Sequence, residues 1–122
     1  MFRVIIAGGR DFDDYDLLKR TMDTLLINIS DEIIVVCGKA RGADTLGEKY
    51  ANNKGYQVSY FPAEWDKFGK SAGYRRNEQM ALNADALVAF WDGTSKGTKH
   101  MIDVARLFGL KVRVKKYIKN YT

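Results

Sequence analysis

One cysteine, one histidine and one proline occur among the 122 residues, and each scarcity removes a class of protein. A lone cysteine, Cys37, excludes an internal disulfide framework. With His100 as the one histidine, a Cys/His zinc site is excluded too, and no metal or cofactor is implied. No apolar run approaches the ~18 residues that a membrane-spanning helix needs. The opening MFRVIIAGGRDF is apolar for too short a stretch and then turns charged, unlike a signal peptide. Pro62 is isolated, and no linker, internal repeat or low-complexity segment divides the chain. What remains is 46% hydrophobic and 29% charged, a globular composition. The expectation is a single cytoplasmic domain, residues 1–122, without a membrane partner.

Acidic residues are missing from one place. The formal net charge is +5, and the final segment KVRVKKYIKNYT carries Lys111, Arg113, Lys115, Lys116 and Lys119 with no acid. Without those five, fifteen basic groups face fifteen acidic ones, so the excess belongs to the tail. Interleaved with Tyr117 and Tyr121, these residues have the phosphate-pairing and base-stacking groups of a nucleic-acid contact. Lysines on an edge strand also discourage edge-to-edge pairing, which is their more ordinary use. Nucleic acid is therefore the weaker expectation.

Short apolar runs alternate with helix-period stretches along the whole chain. Phe2 to Ala7 is a β-branched run closed by Gly8-Gly9 and reads as a buried strand. Leu17, Leu18, Met22, Leu25, Leu26 and Ile29 follow at helical spacing, with Asp13 or Asp14 as N-cap. Ile33 to Cys37 is a second strand. Ala43 to Asn53 is a second helix, with Gly55 placed to end it. Tyr56 to Phe61 is a third strand, and Pro62 to Ser71 reads as a long irregular loop bearing Trp65 and Phe68. Ala72 to Asn83 is a helix and Ala86 to Trp91 a strand. A last helix has Met101, Ile102, Val104, Ala105 and Phe108 on one face and ends at Gly109. KVRVKKYI is a fifth strand. Such alternation predicts an α/β, Rossmann-like three-layer domain with a five-stranded parallel sheet in the order 3-2-1-4-5.

In an open parallel sheet, ligands bind beyond the carboxyl ends of the strands, where the strand order reverses. For this order the crevice lies between strands one and four. Gly8-Gly9-Arg10-Asp11 and Asp92-Gly93-Thr94-Ser95-Lys96-Gly97-Thr98 bracket it, and Gly38-Lys39-Ala40-Arg41-Gly42-Ala43-Asp44 follows strand two. Glycines admit a ligand to the backbone, hydroxyls donate hydrogen bonds, and a helix N-terminus attracts an anion. Lys96 and Lys99 would add charge. None of these loops is a GxxxxGK[ST] or GxGxxG fingerprint, and tight turns use glycine for geometry alone. Their shared position at one sheet edge is what favours a phosphate-bearing ligand.

Gly73-Tyr74-Arg75-Arg76-Asn77-Glu78 opens a helix with two arginines, against the helix dipole. Such a local violation is where function is worth seeking, because an arginine fork binds phosphate or carboxylate bidentately. An ion pair with Glu64, Asp66 or Glu78 is the structural alternative.

The strings GGRDFDDY, CGKARGAD, FPAEWDKFGKSAGYRRNEQM and WDGTSKGTKHMI together resemble the YspA-like branch of the SLOG superfamily. That superfamily also holds the DNA-processing protein DprA and the LOG phosphoribohydrolases. The resemblance spans Phe2 to Val112 and implies a Rossmann-like fold, a nucleotide-derived ligand and a homo-oligomer. LOG enzymes use an arginine in an RKxxM segment and a glutamate after GGxGTxxE. Arg76-Asn77-Glu78-Gln79-Met80 resembles the first, placing Arg76 at the arginine. Gly97-Thr98 matches the second, but Lys99-His100-Met101 follows where the acids belong.

N-glycoside hydrolysis passes through a cationic sugar, which a carboxylate stabilises or whose attacking water it activates. The missing acid makes a binder the leading expectation: a sensor, carrier or sequestering protein that reports through an effector protein or by sequestration. Amides at Gly8-Gly9, Gly42-Ala43 and Gly97-Thr98 would hold phosphate, while Arg10, Arg41 and Arg76 neutralise it. Trp65 or Trp91 would stack on the base. Gly38, Asp44, Asn77, Asp92, Gly93, Thr94 and Ser95 complete the expected site, with Asp44 as a helix cap or ribose partner. A LOG-type N-glycosidase using Asp11, Asp44, Asp92 or Glu64, with His100 as a conceivable base, is the enzyme alternative. A DprA-like single-stranded DNA binder is the third. Cys37 is expected to be a packed core residue.

Overall fold

A computed structural model describes residues 1–118. Five strands form one parallel sheet: β1 (Phe2–Gly8), β2 (Ile33–Cys37), β3 (Gln57–Tyr60), β4 (Ala86–Trp91) and β5 (Lys111–Lys116). Their order is β3-β2-β1-β4-β5, as the sequence predicts, so the architecture is Rossmann-like. Successive residues of a strand point to opposite faces, and the runs FRVIIA and IIVVC are apolar at both parities because both faces are covered. Val4, Ile6, Val35 and Phe90 pack with Leu18, Met22 and Tyr50 on one side. Ile5, Val36, Leu87 and Ala89 pack with Met80, Met101 and Ala105 on the other.

Helices α1 (Tyr15–Leu26) and α2 (Ala43–Lys54) cover the first side. Asp14 is the N-cap of α1, its carboxylate accepting the Leu17 amide at 3.0 Å. Ala43, Gly47 and Ala51 form a small-residue stripe that lets α2 sit close to β1. A Cβ on Gly47 would come within 2.9 Å of Ile6. Gly55 ends α2 in the left-handed conformation, φ 76°, where its amide returns to the Ala51 and Asn52 carbonyls.

The segment expected to be an irregular loop contains structure. Trp65–Phe68 makes one helical turn, α3, and Gly69–Ser71 a 3₁₀ turn leading into α4 (Ala72–Leu82). Neither is long enough for apolar periodicity to reveal. Helix α5 (Lys96–Leu107) joins α4 on the second side. β5 also stops two residues before the expected Ile118. Its successor Tyr117 turns inward, its amide bonding the Trp91 carbonyl at 3.1 Å and its ring meeting Phe12 at 4.8 Å between centroids. Tyr117 is thereby withdrawn from base stacking. The tail residues Lys119 and Tyr121 lie outside the described residues. Among those described, no helix is long and apolar enough to cross a membrane.

Candidate functional site

β1 pairs with both β2 and β4, so α2 leaves one side of the sheet and α5 the other. At this reversal a cavity of about 610 Å³ opens over the carboxyl ends of the strands. That volume is in the range of small-molecule sites. Eleven of the expected site residues line it: Gly8, Gly9, Arg10, Asp44, Trp65, Arg76, Asn77, Asp92, Ser95, Gly97 and Thr98. Gly38 and Arg41 line a neighbouring cavity instead. Gly42, Ala43, Gly93 and Thr94 line neither.

Three polar or charged side chains are buried among the described residues: Asp44 at 5% exposure, Asn77 at 6% and Thr98 at 5%. All three line this cavity. Burying a polar group is costly unless it is hydrogen-bonded, so their concentration at one place is the site's clearest mark.

Asn77 organises two elements. Its Oδ1 accepts from Arg76 Nε at 3.0 Å, and its Nδ2 donates to the Gly97 carbonyl at 3.4 Å and to His100 Nδ1 at 3.1 Å. His100 Nδ1 therefore acts as an acceptor, which fits a neutral ring whose pKa burial lowers. Tyr74 lies 4.2 Å from that ring, and His100 does not line the cavity, so the conceivable catalytic base is withdrawn from it.

Arg76 donates from Nη1 to the Gly38 carbonyl and makes no ion pair with Glu64, Asp66 or Glu78. Burial disfavours its charge, and the Asp44 carboxylate favours it. Arg75 plays another part, bonding Ser71 Oγ at 3.0 Å and lying 4.5 Å over the Phe68 ring. Asp44 accepts the Ala40 amide at 3.1 Å. Burial raises its carboxyl above the ordinary range, against the pull of that amide, Arg76 and Arg10. It belongs to the first turn of α2, whose N-cap is Gly42, so it is not the cap.

The expected amide cradle is only partly open. Gly9 N donates to the Phe90 carbonyl at 3.1 Å, and Ala43 N to the Gly9 carbonyl at 3.2 Å. The Thr94 and Ser95 amides both donate to Asp92 Oδ1 at 2.8 Å. Of the expected pairs, Gly97 and Thr98 stand in the first turn of α5, where amides have no intrahelical acceptor and are available to an anion. Ser95 Oγ and Thr98 Oγ1 stand 3.2 Å apart beside it.

Trp65 is half exposed at the cavity mouth, and a Cβ on Gly73 would come 3.3 Å from its ring. Trp91 does not line the cavity. Its indole N–H holds the Ser95 carbonyl at 3.0 Å, and Lys116 lies 5.6 Å over its ring. Lys99 is turned away by Asp103 at 2.8 Å, and Lys96 lines neither cavity. The lysine at the site is Lys70, which the sequence reading missed together with Gly73, Tyr74 and Met80. Gly73, Arg76, Asn77 and Met80 share one face of α4 at spacings of three and four, a periodicity that was there to be read. Cys37 is a core residue whose thiol burial pushes up to about 11, so it is no nucleophile. No group of three or more His, Cys, Asp or Glu side chains is arranged to hold a metal ion among the described residues.

A parallel five-stranded sheet with a cavity at its reversal point defines a Rossmann-like α/β domain. The chain belongs to the YspA, cpYpsA-related SLOG family, whose model matches residues 2–68. It is similar to the Gene 61 protein of Mycobacterium phage D29, with 34% identity over 118 residues, 92% of this chain and 94% of that protein. No solved structure matches. SLOG membership is consistent with a nucleotide-related ligand.

Proposed function

We propose that the cavity binds a nucleotide-derived small molecule and holds it without cleaving it. The burial of Asp44, Asn77 and Thr98 around one cavity carries this reading. The first turn of α5, with the Ser95 and Thr98 hydroxyls, supplies phosphate donors, and Arg10, Lys70 and Arg76 supply charge. Asp44, Asp11 and Asp92 are acceptors of the kind that ribose hydroxyls need. Trp65 at the mouth offers a face on which a base stacks.

The position of the LOG glutamate is taken by Met101, which is buried and lines the cavity with a thioether. A thioether neither stabilises a cationic sugar nor activates water, which favours binding over hydrolysis. One observation favours the enzyme alternative: Asp44 is a buried carboxyl with a raised pKa in the same cavity, the environment of a general acid.

Titration with purine and pyrimidine nucleoside monophosphates tests the binding reading through Trp65 fluorescence. Saturable quenching is expected in the wild type and its loss in Trp65→Phe. Absence of any saturable change across the series contradicts it.

A further inference from the structure

A second cavity of about 600 Å³ adjoins the first, and Arg10, Ala40, Trp65 and Arg76 line both. Their charges differ. The first cavity sets Asp11, Asp44 and Asp92 against Arg10, Lys70 and Arg76. The second has Arg10, Lys39, Arg41 and Arg76 and no carboxylate in its lining. Glu48, the acid nearest Lys39, pairs with it at 3.2 Å and also accepts the Tyr60 hydroxyl. Asp44 attracts Arg10 and Arg76, but it faces the first cavity and holds the Ala40 amide.

Three arginines thus stand around one concave wall with a single carboxylate shared between two of them. Arg41 is exposed and makes no ion pair within 4.0 Å among the described residues. Arg10 and Arg76 line the same wall as like charges, although burial and the Asp44 carboxylate act on Arg76 more strongly than Arg10 does. An anion with several oxygens relieves that repulsion and engages the planar guanidinium forks two atoms at a time. A single phosphate at the first turn of α5 leaves Arg41 unused, because Arg41 does not line the first cavity.

We propose that the second cavity is an anion compartment continuous with the first, and that the ligand is a nucleotide whose phosphate chain is longer than a monophosphate. The compartment takes the additional phosphate groups. This rests on the nucleotide reading of the first cavity.

Calorimetric titration of mono-, di- and triphosphates of the four common ribonucleosides, and of inorganic tripolyphosphate, tests the proposal without divalent cations. For at least one base, the triphosphate should bind at least about tenfold more tightly than the monophosphate. Arg41→Ala, at an exposed position, should remove most of that ratio, as expected from the loss of a charge-assisted contact. Tripolyphosphate alone should compete, more weakly than the triphosphate nucleotide. Equal affinities for mono- and triphosphate, or a ratio unchanged in Arg41→Ala, overturn the compartment and leave the nucleotide reading standing. Tripolyphosphate binding as tightly as every nucleotide overturns the nucleotide half of the proposal. If no phosphate-bearing probe binds, both readings fall.

Discussion

Two glycine-bearing loops leave the same edge of the sheet, and their similar compositions conceal different uses. In Gly38 to Asp44 two amides are committed to the fold: Ala43 N bonds the Gly9 carbonyl, and Ala40 N bonds the Asp44 carboxylate. Gly42 there has φ 74°, and a Cβ on it would fall against the Gly9 carbonyl oxygen. In Asp92 to Thr98 the early amides are tied to Asp92, while Gly97 has open space where a side chain would go. The first loop places Asp44 at one cavity and Arg41 at the other, while the second places Gly97 and Thr98 of its helix turn at the first cavity. Counting glycines cannot separate the two, because hydrogen-bond partners decide which amides remain.

Substituting the two glycines separates them most sharply. Gly42→Ala combines a left-handed φ with a backbone clash and should cost roughly 3 kcal/mol or more, read by denaturant unfolding. Gly97→Asp should leave the unfolding midpoint nearly unchanged, since an acid in the first turn of a helix suits its dipole. The same change puts a carboxylate where phosphate is expected and should weaken nucleotide binding about 100-fold. Unchanged affinity in Gly97→Asp would remove α5 from the site.

Asn77 links the α4 and α5 sides of the cavity. Asn77→Ala deletes its bonds to Arg76, Gly97 and His100 and should cost about 1–2 kcal/mol of stability while lowering affinity. The His100 contact adds a pH dependence. Its folded pKa lies below the ordinary 6.5, so the neutral ring contributes stability above that value. This contribution is lost as pH falls through the folded pKa, where Nδ1 becomes a donor facing the Asn77 amide. His100→Gln should flatten the stability profile below pH 6.5, as thermal melts across pH would read.

The smallest effect lies away from both loops. Asp23 on α1 accepts the Tyr50 hydroxyl at 2.7 Å, which with Lys19 and Lys54 lowers its pKa to about 2. Its stabilisation is present above the ordinary 3.8 and is lost as pH falls toward 2. Tyr50→Phe should cost about 1 kcal/mol near neutral pH, since Asp23 is partly exposed and screened. It should reduce the acid sensitivity and leave ligand affinity intact.

The sheet order and the bounds of β2 and β4 were legible because apolar runs bounded by glycine or polar residues announce buried parallel strands. Asp44, Asn77, Thr98 and Arg76 were legible as loop or helix-start residues at the switch point. Lys70 and the single turn α3 were not, because a four-residue helix has no period to detect. Nor was the closing of the Gly9 and Ala43 amides, which depends on contacts between loops more than thirty residues apart in sequence. The end of β5 at Lys116 was hidden for the same reason: the partners of Tyr117, Phe12 and Asp11, lie at the other end of the chain.

The most direct test of the account mixes the protein with a pool of nucleotides, separates bound from free by ultrafiltration, and reads both fractions by mass spectrometry after denaturation. An intact nucleotide released only on denaturation is expected, with no free base in the filtrate. Free base and ribose phosphate in the filtrate would contradict it and make Asp44, not Met101, the residue that defines the site.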